Sequence, residues 1–600
     1  VLNQLVDYAV KHNLNSNIAF TNKNVRWAIV VSKNKYIGVI QLNPSWIVVP
    51  TGNPRAQGDF KCHFLVESLD VVTGYKSSQK SESKRDFFYQ LLDMASKSIP
   101  ELSCIEHVVE KNNHAIVRFL EDSRAKNTDT VTFIIDEDLM VTDSRVISWW
   151  NQQYNVYHKQ STSKMIDCVT GQTINPAMLH GDIKASSFGG NGTGSKLASF
   201  NKDVFCSYGL NHNDQGLNSP MSSETATRYA SAINDMLHRY KTYSFINRAR
   251  TSAILSWVDD GSENLLAMSV FTGFDTQDDD SDLEDVVVAP VSEQLEVKKR
   301  NILNAIYSGK RPENIFDKSR YCAILLSANA ARVIVNRWYS GETITLFDNV
   351  VRWFDDQRVI SPYRIFEHPY AMSQIVGSIF PIADSEKLST SIEAELIDCA
   401  FNCRRLSSQI ATKCIGVIRS SIYKLNAKEQ KTKMAARQNY HVCHGLLKMF
   451  FNREWEGNPT MLFSETVNVN HPLPAYHCGR LLAVIEHVQN KAVGDVGANV
   501  IDKFYPSASC YPGMVFGQII SNTMNHLSKI AKDSGGLKKW YQQQLQEITI
   551  KIGGEFPKTL DTMGQGVFAL GYFQQRADLF TKKNVDSNVS DDDSDGNDSN

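Results

Sequence analysis

Apolar positions recur with strand spacing near the start of the chain and with helical spacing toward its end. Arg26–Val31 and Tyr36–Ile40 are short β-branched runs joined by Ser32-Lys33-Asn34-Lys35, which predicts a hairpin. Thr130–Ile135 and Ala253–Val258 read as further strands, and Asp86–Met94 as a helix. Beyond about Val291 proline and glycine thin out and helical periodicity takes over. The stretch from Met461 onward is the plainest. Leu481, Leu482, Ile485 and Val488 share one helical face, and Val515, Phe516, Ile519, Ile520, Met524, Leu527 and Ile530 form a longer stripe. Leu537, Trp540, Leu545, Ile548 and Ile552 follow the same period, as do Met563, Val567, Leu570 and Phe573. Gly494, Gly497, Pro506, Pro512, Gly535-Gly536, Gly553-Gly554 and Pro557 punctuate them as helix stops or turns. Amphipathic helices with short connections bury their stripes best as an antiparallel bundle.

The expected fold is therefore α+β: a mixed α/β N-terminal region, then an all-α C-terminal half ending in an antiparallel helical bundle. The boundaries are 1–274 for the α+β domain, 275–290 for an acidic loop or linker and 291–460 for a helical connecting region. The bundle takes 461–583, and 584–600 is an acidic tail expected to be disordered.

At 600 residues the chain is too long for one core. Eleven cysteines without dense spacing suggest reduced thiols and a cytoplasmic location. No apolar run reaches the roughly 18 residues of a membrane span, and Val1-Leu2-Asn3-Gln4 lacks the features of a signal peptide. The net charge of −2 conceals an asymmetry: Asp275–Asp285 carries seven acids and Asn584–Asn600 six, with no base in either. Without those thirteen acids the net charge of the rest is +11. A body with that excess attracts polyanions, unless its lysines and arginines merely solvate helix faces.

Cys168–Tyr240 holds the densest run of specialised residues: CVTGQ, MLHGDIK, GGNGTGSK and LASFNKDVFCSYG. Gly189–Lys196 has near Walker spacing, but Ser195 precedes Lys196 and no apolar strand leads in, so no nucleotide site is expected. What remains is a flexible loop whose amides can approach a phosphate, with Lys184 and Lys196 to neutralise charge. Asn191, Ser199 and Asn201 can bond to phosphates or base edges. The plainer reading is a mobile surface loop. Arg239-Tyr240-Lys241-Thr242-Tyr243, with Arg248 and Arg250, mixes bases and aromatics as a single-strand tracker does; a helix with inward rings and outward arginines is the alternative. Cys399 and Cys403, His441 with Cys443 and His444, and His477-Cys478 lack paired ligand spacing, so no metal is expected. No catalytic motif is present, and no catalytic residue or cofactor is assigned.

The order of these motifs resembles the large subunit of type I-C CRISPR interference complexes, the Csd family of Cascade proteins. The matching residues are Cys168, Gly171, Leu179, His180, Ile183, Lys184, Gly194, Ser199-Phe200-Asn201, Phe205, Ser207-Tyr208-Gly209, Asn218 and Pro220. A second block matches at Pro474-Ala475-Tyr476, Gly479-Arg480-Leu481, Phe504-Tyr505, Ser507-Ala508-Ser509 and Phe568-Ala569-Leu570-Gly571-Tyr572. Weaker similarity links the two, so nearly the whole chain is covered. The acidic insert, the acidic tail and NSPMSS from Asn218 to Ser223 depart from the family pattern.

The resemblance implies a non-catalytic subunit of an RNA-guided surveillance complex. Its partners would be guide RNA, double-stranded target DNA, the backbone subunits, the guide-handle-binding subunit, small subunits and a recruited helicase–nuclease. Guide pairing reads most of the sequence, so the protein need read only a few adjacent base pairs. In that role Lys184 and Lys196 are candidates for phosphates, Asn191, Ser199 and Asn201 for motif recognition, and Tyr208 for a wedge. Arg239, Lys241, Arg248 and Arg250 are candidate strand contacts. The resemblance also implies an internal translation start yielding a small subunit, for which Met461 is the candidate and Met449 the alternative. A helical scaffold that binds proteins without touching nucleic acid is the competing class; a hydrolase with an unrecognised site is a third.

Overall fold

The computed structural model describes residues 1–14, 17–43, 46–52, 62–157, 163–239, 250–260, 264, 304, 319–363, 370–380, 390–494 and 499–581. The chain divides into two compact units, Val1–Arg239 with Ala328–Ile334, and Tyr240–Ser327 with Val335–Asn600.

In the first unit, strands β2 (Trp27–Ser32) and β3 (Lys35–Gln41) form the expected hairpin. Its two-residue turn holds Lys33 and Asn34 at positive φ, the turn that matches strand twist. The Asp136 carboxylate fixes that turn by accepting from the Lys33 amide at 2.9 Å and the Ser32 hydroxyl at 3.0 Å. β6 (Thr130–Ile135) lies parallel to β2, and β5 (Glu67–Ser68) and β7 (Asp138–Leu139) pair with β6, giving the order β3-β2-β6-β5. β2 is buried along nearly its whole length because it is central, whereas the edge strand β3 is mostly open. Against the sheet pack helices α2 (Leu69–Val72), α3 (Gln79–Ser96), α4 (Ile105–Lys111), α5 (Asn113–Asp122) and α6 (Ser144–Tyr157), with Phe64, Phe88, Phe133 and Trp150 in the core. A separate ribbon joins β1 (Phe20–Asn24) to β4 (Trp46–Pro50), and α1 (Leu2–Lys11) packs on α7 (Ser223–Arg239). The small pair β8 (Met165–Ile166) and β9 (Thr173–Ile174) opens the segment rich in specialised residues.

β10 (Ser252–Val258), β11 (Arg320–Asn329) and β12 (Arg332–Glu342) make a three-stranded sheet in that order, most of it in the second unit, while the tip of the β11–β12 hairpin, Ala328–Ile334, belongs to the first. β11 and β12 lie past Val291, where helical periodicity was expected. The run Tyr321–Ser327 is buried throughout, and a continuous apolar run carries no period to separate strand from buried helix. Helices follow without interruption among the described residues: α8 (Thr343–Gln357), α9 (Met372–Ile379), α10 (Thr390–Phe401), α11 (Ser408–Ile422), α12 (Gln430–Glu454), α13 (Pro474–Val493), α14 (Val500–Cys510), α15 (Pro512–Asp533), α16 (Gly535–Ile552) and α17 (Thr562–Thr581). Among the described residues the chain is thus mixed α/β at its N-terminal side and all-helical from Thr343 onward.

α13 is buried on every side from Ala475 to Glu486, with α14 to α17 packed around it. Gly494 and Gly553 end α13 and α16 at positive φ, and Pro512 starts α15, as the punctuation predicts. Pro506 differs: it sits inside α14 rather than ending a helix. Proline removes one backbone bond there, but a capping box anchors the helix, Asn499 accepting from Ile501 and Asp502 amides while Asp502 accepts from the Asn499 amide.

Candidate nucleic-acid interface

The segment 163–218 has little regular structure, so its shape must come from side chains and α7. Asp167 anchors one end. Its carboxylate accepts from the amides of Val169 and Thr170 at 2.8 and 3.1 Å, the Ser222 amide at 2.8 Å and the Thr225 hydroxyl at 3.0 Å. Burial by itself would raise its pKa, but those four donors outweigh burial and hold it below the ordinary carboxylate value. The turn at Cys168–Gln172 is thereby stapled to the start of α7.

Next along the chain, α7 holds His180–Lys184. The His180 ring lies 2.9 Å from the Tyr229 hydroxyl, and burial pushes the imidazole down to about 4, so it is neutral at pH 7. The Asn234 side chain clamps this segment, donating to the Asp182 carbonyl at 2.8 Å and accepting from the Lys184 amide at 2.7 Å. His180 and Asp182 therefore face different partners and form no proton-transfer pair.

The glycine-rich loop is a framed structure. Ile183 and Ser195 exchange backbone bonds at 2.8 and 2.9 Å. Gly194 sits at φ +119°, where a Cβ would lie 2.7 Å from the Asp182 Cβ, so only glycine permits the close approach. On the other side the loop pairs with the hairpin tip in the same unit. Ala330 donates to the Gly189 carbonyl at 3.1 Å, Asn191 to Ala330 at 2.9 Å, Lys196 to Ala331 at 2.8 Å, and Val333 to Lys196 at 2.9 Å. The amides of Gly190, Asn191, Gly194, Ser195 and Lys196 are all used internally. The expectation of a flexible loop offering its amides to a phosphate is corrected on this point, because a backbone packed against another strand must pair its polar groups. Asn191, Gly192 and Thr193 remain exposed at the tip.

Lys196 is committed as well. Its ammonium lies 2.8 Å from an Asp182 carboxylate oxygen and donates to the His180 carbonyl. Lys184 is exposed, and Ser199 is half-buried, lining a small cleft with His180, Lys196 and Phe200.

Beyond it, Asn201–Asn218 is built from short turns held by side chains. Asp203 accepts from the His212 amide and ring nitrogen, both at 2.8 Å, and Asn218 accepts from the Ser207 amide at 2.6 Å. Val204, Phe205 and Tyr208 face outward, Tyr208 fully so. Asn201 accepts from the Arg332 guanidinium at 2.9 Å, and that guanidinium lies 4.0 Å from the centre of the Phe205 ring. Sequence reasoning missed Arg332, which stands 131 positions from Asn201 in a hairpin tip with no motif of its own.

Arg239 is ion-paired with Asp235 at 2.8 Å on its own helix, and Tyr8 donates to the same oxygen at 2.9 Å. Lys241 and Arg248 lie outside the described residues, and Arg250 belongs to the other unit. His441, His444 and His477 are core residues bonded to the carbonyls of Val359, Tyr440 and His471, each lowered by burial. Among the described residues no group of three or more His, Cys, Asp and Glu is placed to hold a metal ion. No described helix is long and apolar enough to cross a membrane.

A model of the family described as CRISPR-associated protein (Cas_Csd1) matches residues 5–580. No curated protein matches the chain.

Proposed function

The chain belongs to the CRISPR-associated Csd1 family, that of the type I-C Cascade large subunit, and from that premise we propose that it reads the protospacer-adjacent motif. In this reading it then helps open the duplex, holds the displaced strand and recruits a helicase–nuclease, without catalysing a reaction itself. It works in the cytoplasm, on a complex that carries guide RNA.

One observation carries this reading: a hydrogen-bonded frame presents two exposed polar and aromatic segments, Asn191–Thr193 and Asn201–Tyr208, beside cations. A rigid frame lowers the ordering cost of binding. Within it Lys184 takes a phosphate, Asn191 and Ser199 approach base edges, and Tyr208 wedges at a base step. Lys196 acts through the frame, since its charge is spent on Asp182.

The test uses the full complex assembled on guide RNA. Binding to guide-matched duplex should fall steeply with salt and depend on the flanking base pairs. Lys184→Ala should weaken binding to every flank, and Asn191→Ala with Tyr208→Ala should slow duplex opening while assembly persists. Salt-insensitive binding would favour the protein scaffold without nucleic-acid contact.

The internal start belongs to the same proposal. Met461 lies in the connection between α12 and α13, so a product starting there keeps α13 to α17 whole, whereas Met449 is buried within α12. Expression should give a second band that disappears with Met461→Leu; a single band would count against it.

A further inference from the structure

Arg332 is a cation of the first unit that the proposed reading has not yet used. Its backbone is fixed on both sides by Lys196, which donates to Ala331 and accepts from Val333. Its guanidinium is fixed by Asn201 at 2.9 Å and by the face of Phe205 at 4.0 Å. Among the described residues no carboxylate pairs with it, in contrast to Lys196 and Arg239.

An arginine held over an aromatic ring has lost much of its rotamer freedom before any ligand arrives. Asn201 takes a hydrogen on one Nη; the remaining N–H groups form a planar fork. Exposed apolar side chains accompany these partners: Phe205 is 44% exposed and its chain neighbour Val204 84%, and Ile334, two positions along β12, is 50% exposed. A phosphate-binding arginine is served by other cations and amides, whereas apolar and aromatic neighbours suit the edges and faces of bases.

We infer that Arg332 is a specificity-determining residue that reads a base edge in duplex DNA, and that Asn201 and Phe205 are its positioning residues. This rests on the DNA-reading function proposed above and reassigns Asn201 from base contact to support. The preferred base is one with two acceptors on its major-groove edge, which the guanidinium fork matches in a bidentate pair.

The experiment is flank selection. The guide-loaded complex is offered guide-matched duplexes with randomised flanking base pairs, and bound molecules are sequenced. Wild type should enrich particular bases. Arg332→Ala and Arg332→Lys should both flatten the preference at one position by roughly tenfold or more, since lysine keeps the charge but not the fork. Asn201→Ala should flatten it partly, because Arg332 stays but loses a restraint. If Arg332→Ala fails to join the complex, Arg332→Lys and Asn201→Ala decide alone. Retention of the full preference by Arg332→Lys would overturn the inference, as would a uniform loss over all flanks with a shallower salt dependence. A wild-type complex with no flank preference would instead sink the motif-reading function itself.

Discussion

Asp167 shows how one residue organises an irregular segment. Its carboxylate gathers four donors from a turn and a helix start that lie over fifty residues apart. Asp167→Asn turns one oxygen into a donor facing other donors, which should cost about 2 kcal/mol at pH 7. The folded pKa lies below the unfolded value, so the stabilisation by the ionised form is complete above about pH 4. It is lost as pH falls through the lower folded pKa, where the unfolded chain binds the extra proton first. Thermal melts of wild type and variant should therefore converge in strong acid; a gap that is constant with pH would show that the charge is irrelevant. At this scale the sequence was half legible. The clustering of His180, Gly181, Lys184 and Gly194 marked the segment, but which side chain meets which did not. Lys196 is a free cation as far as its sequence neighbours show but is paired with Asp182 in the fold, and Arg332 carries no local signal because its partners come from a distant turn.

At the scale of elements, the second block of matching residues turns out to be a helix crossing. A Cβ at Gly479 would lie 2.0 Å from the Phe568 carbonyl oxygen, and one at Gly571 would lie 2.0 Å from that of Tyr476. The numbering rises on α13 while it falls on α17, so the two helices run antiparallel there. Around the crossing Tyr476 donates to Gln574 at 2.5 Å and Arg480 to Gln575 at 2.8 Å. Gly479→Ala forces two backbones apart and should destabilise the protein by about 2–3 kcal/mol, the cost of overpacking a core. Gly571→Ala should do the same, and the double variant should cost less than the two together because one displacement relieves both clashes. Denaturant unfolding measures this; full additivity would mean that the helices do not share one crossing. Periodicity revealed the stripes on α15 and α16 because each of those helices has a solvent face, whereas α13 is buried on every side and its stripe is only part of its core. It gave no warning of β11, which is buried all round, nor that Pro506 would be carried inside a well-capped helix.

At the scale of the whole molecule, charge is distributed against the average. The net value of −2 is the sum of a basic body and two acidic stretches, so the attraction that a polyanion such as DNA would feel at long range is set by what those stretches cancel. Removing Asn584–Asn600 takes away six acids and no base, which moves the net charge to +4. Electrostatic attraction to a duplex without a guide match should then strengthen several-fold at about 50 mM salt. The difference should vanish near 0.5 M, where the screening length is only about 4 Å. Fluorescence anisotropy with a random duplex reads it. A variant of unchanged length with the six aspartates replaced by asparagine separates charge from bulk. If that variant behaves like the deletion, the tail acts through its field and restrains guide-independent binding, as the proposed flank-reading role requires. If only the deletion tightens binding, the tail acts by occupying space, and the asymmetry of charge along this chain has no part in duplex binding.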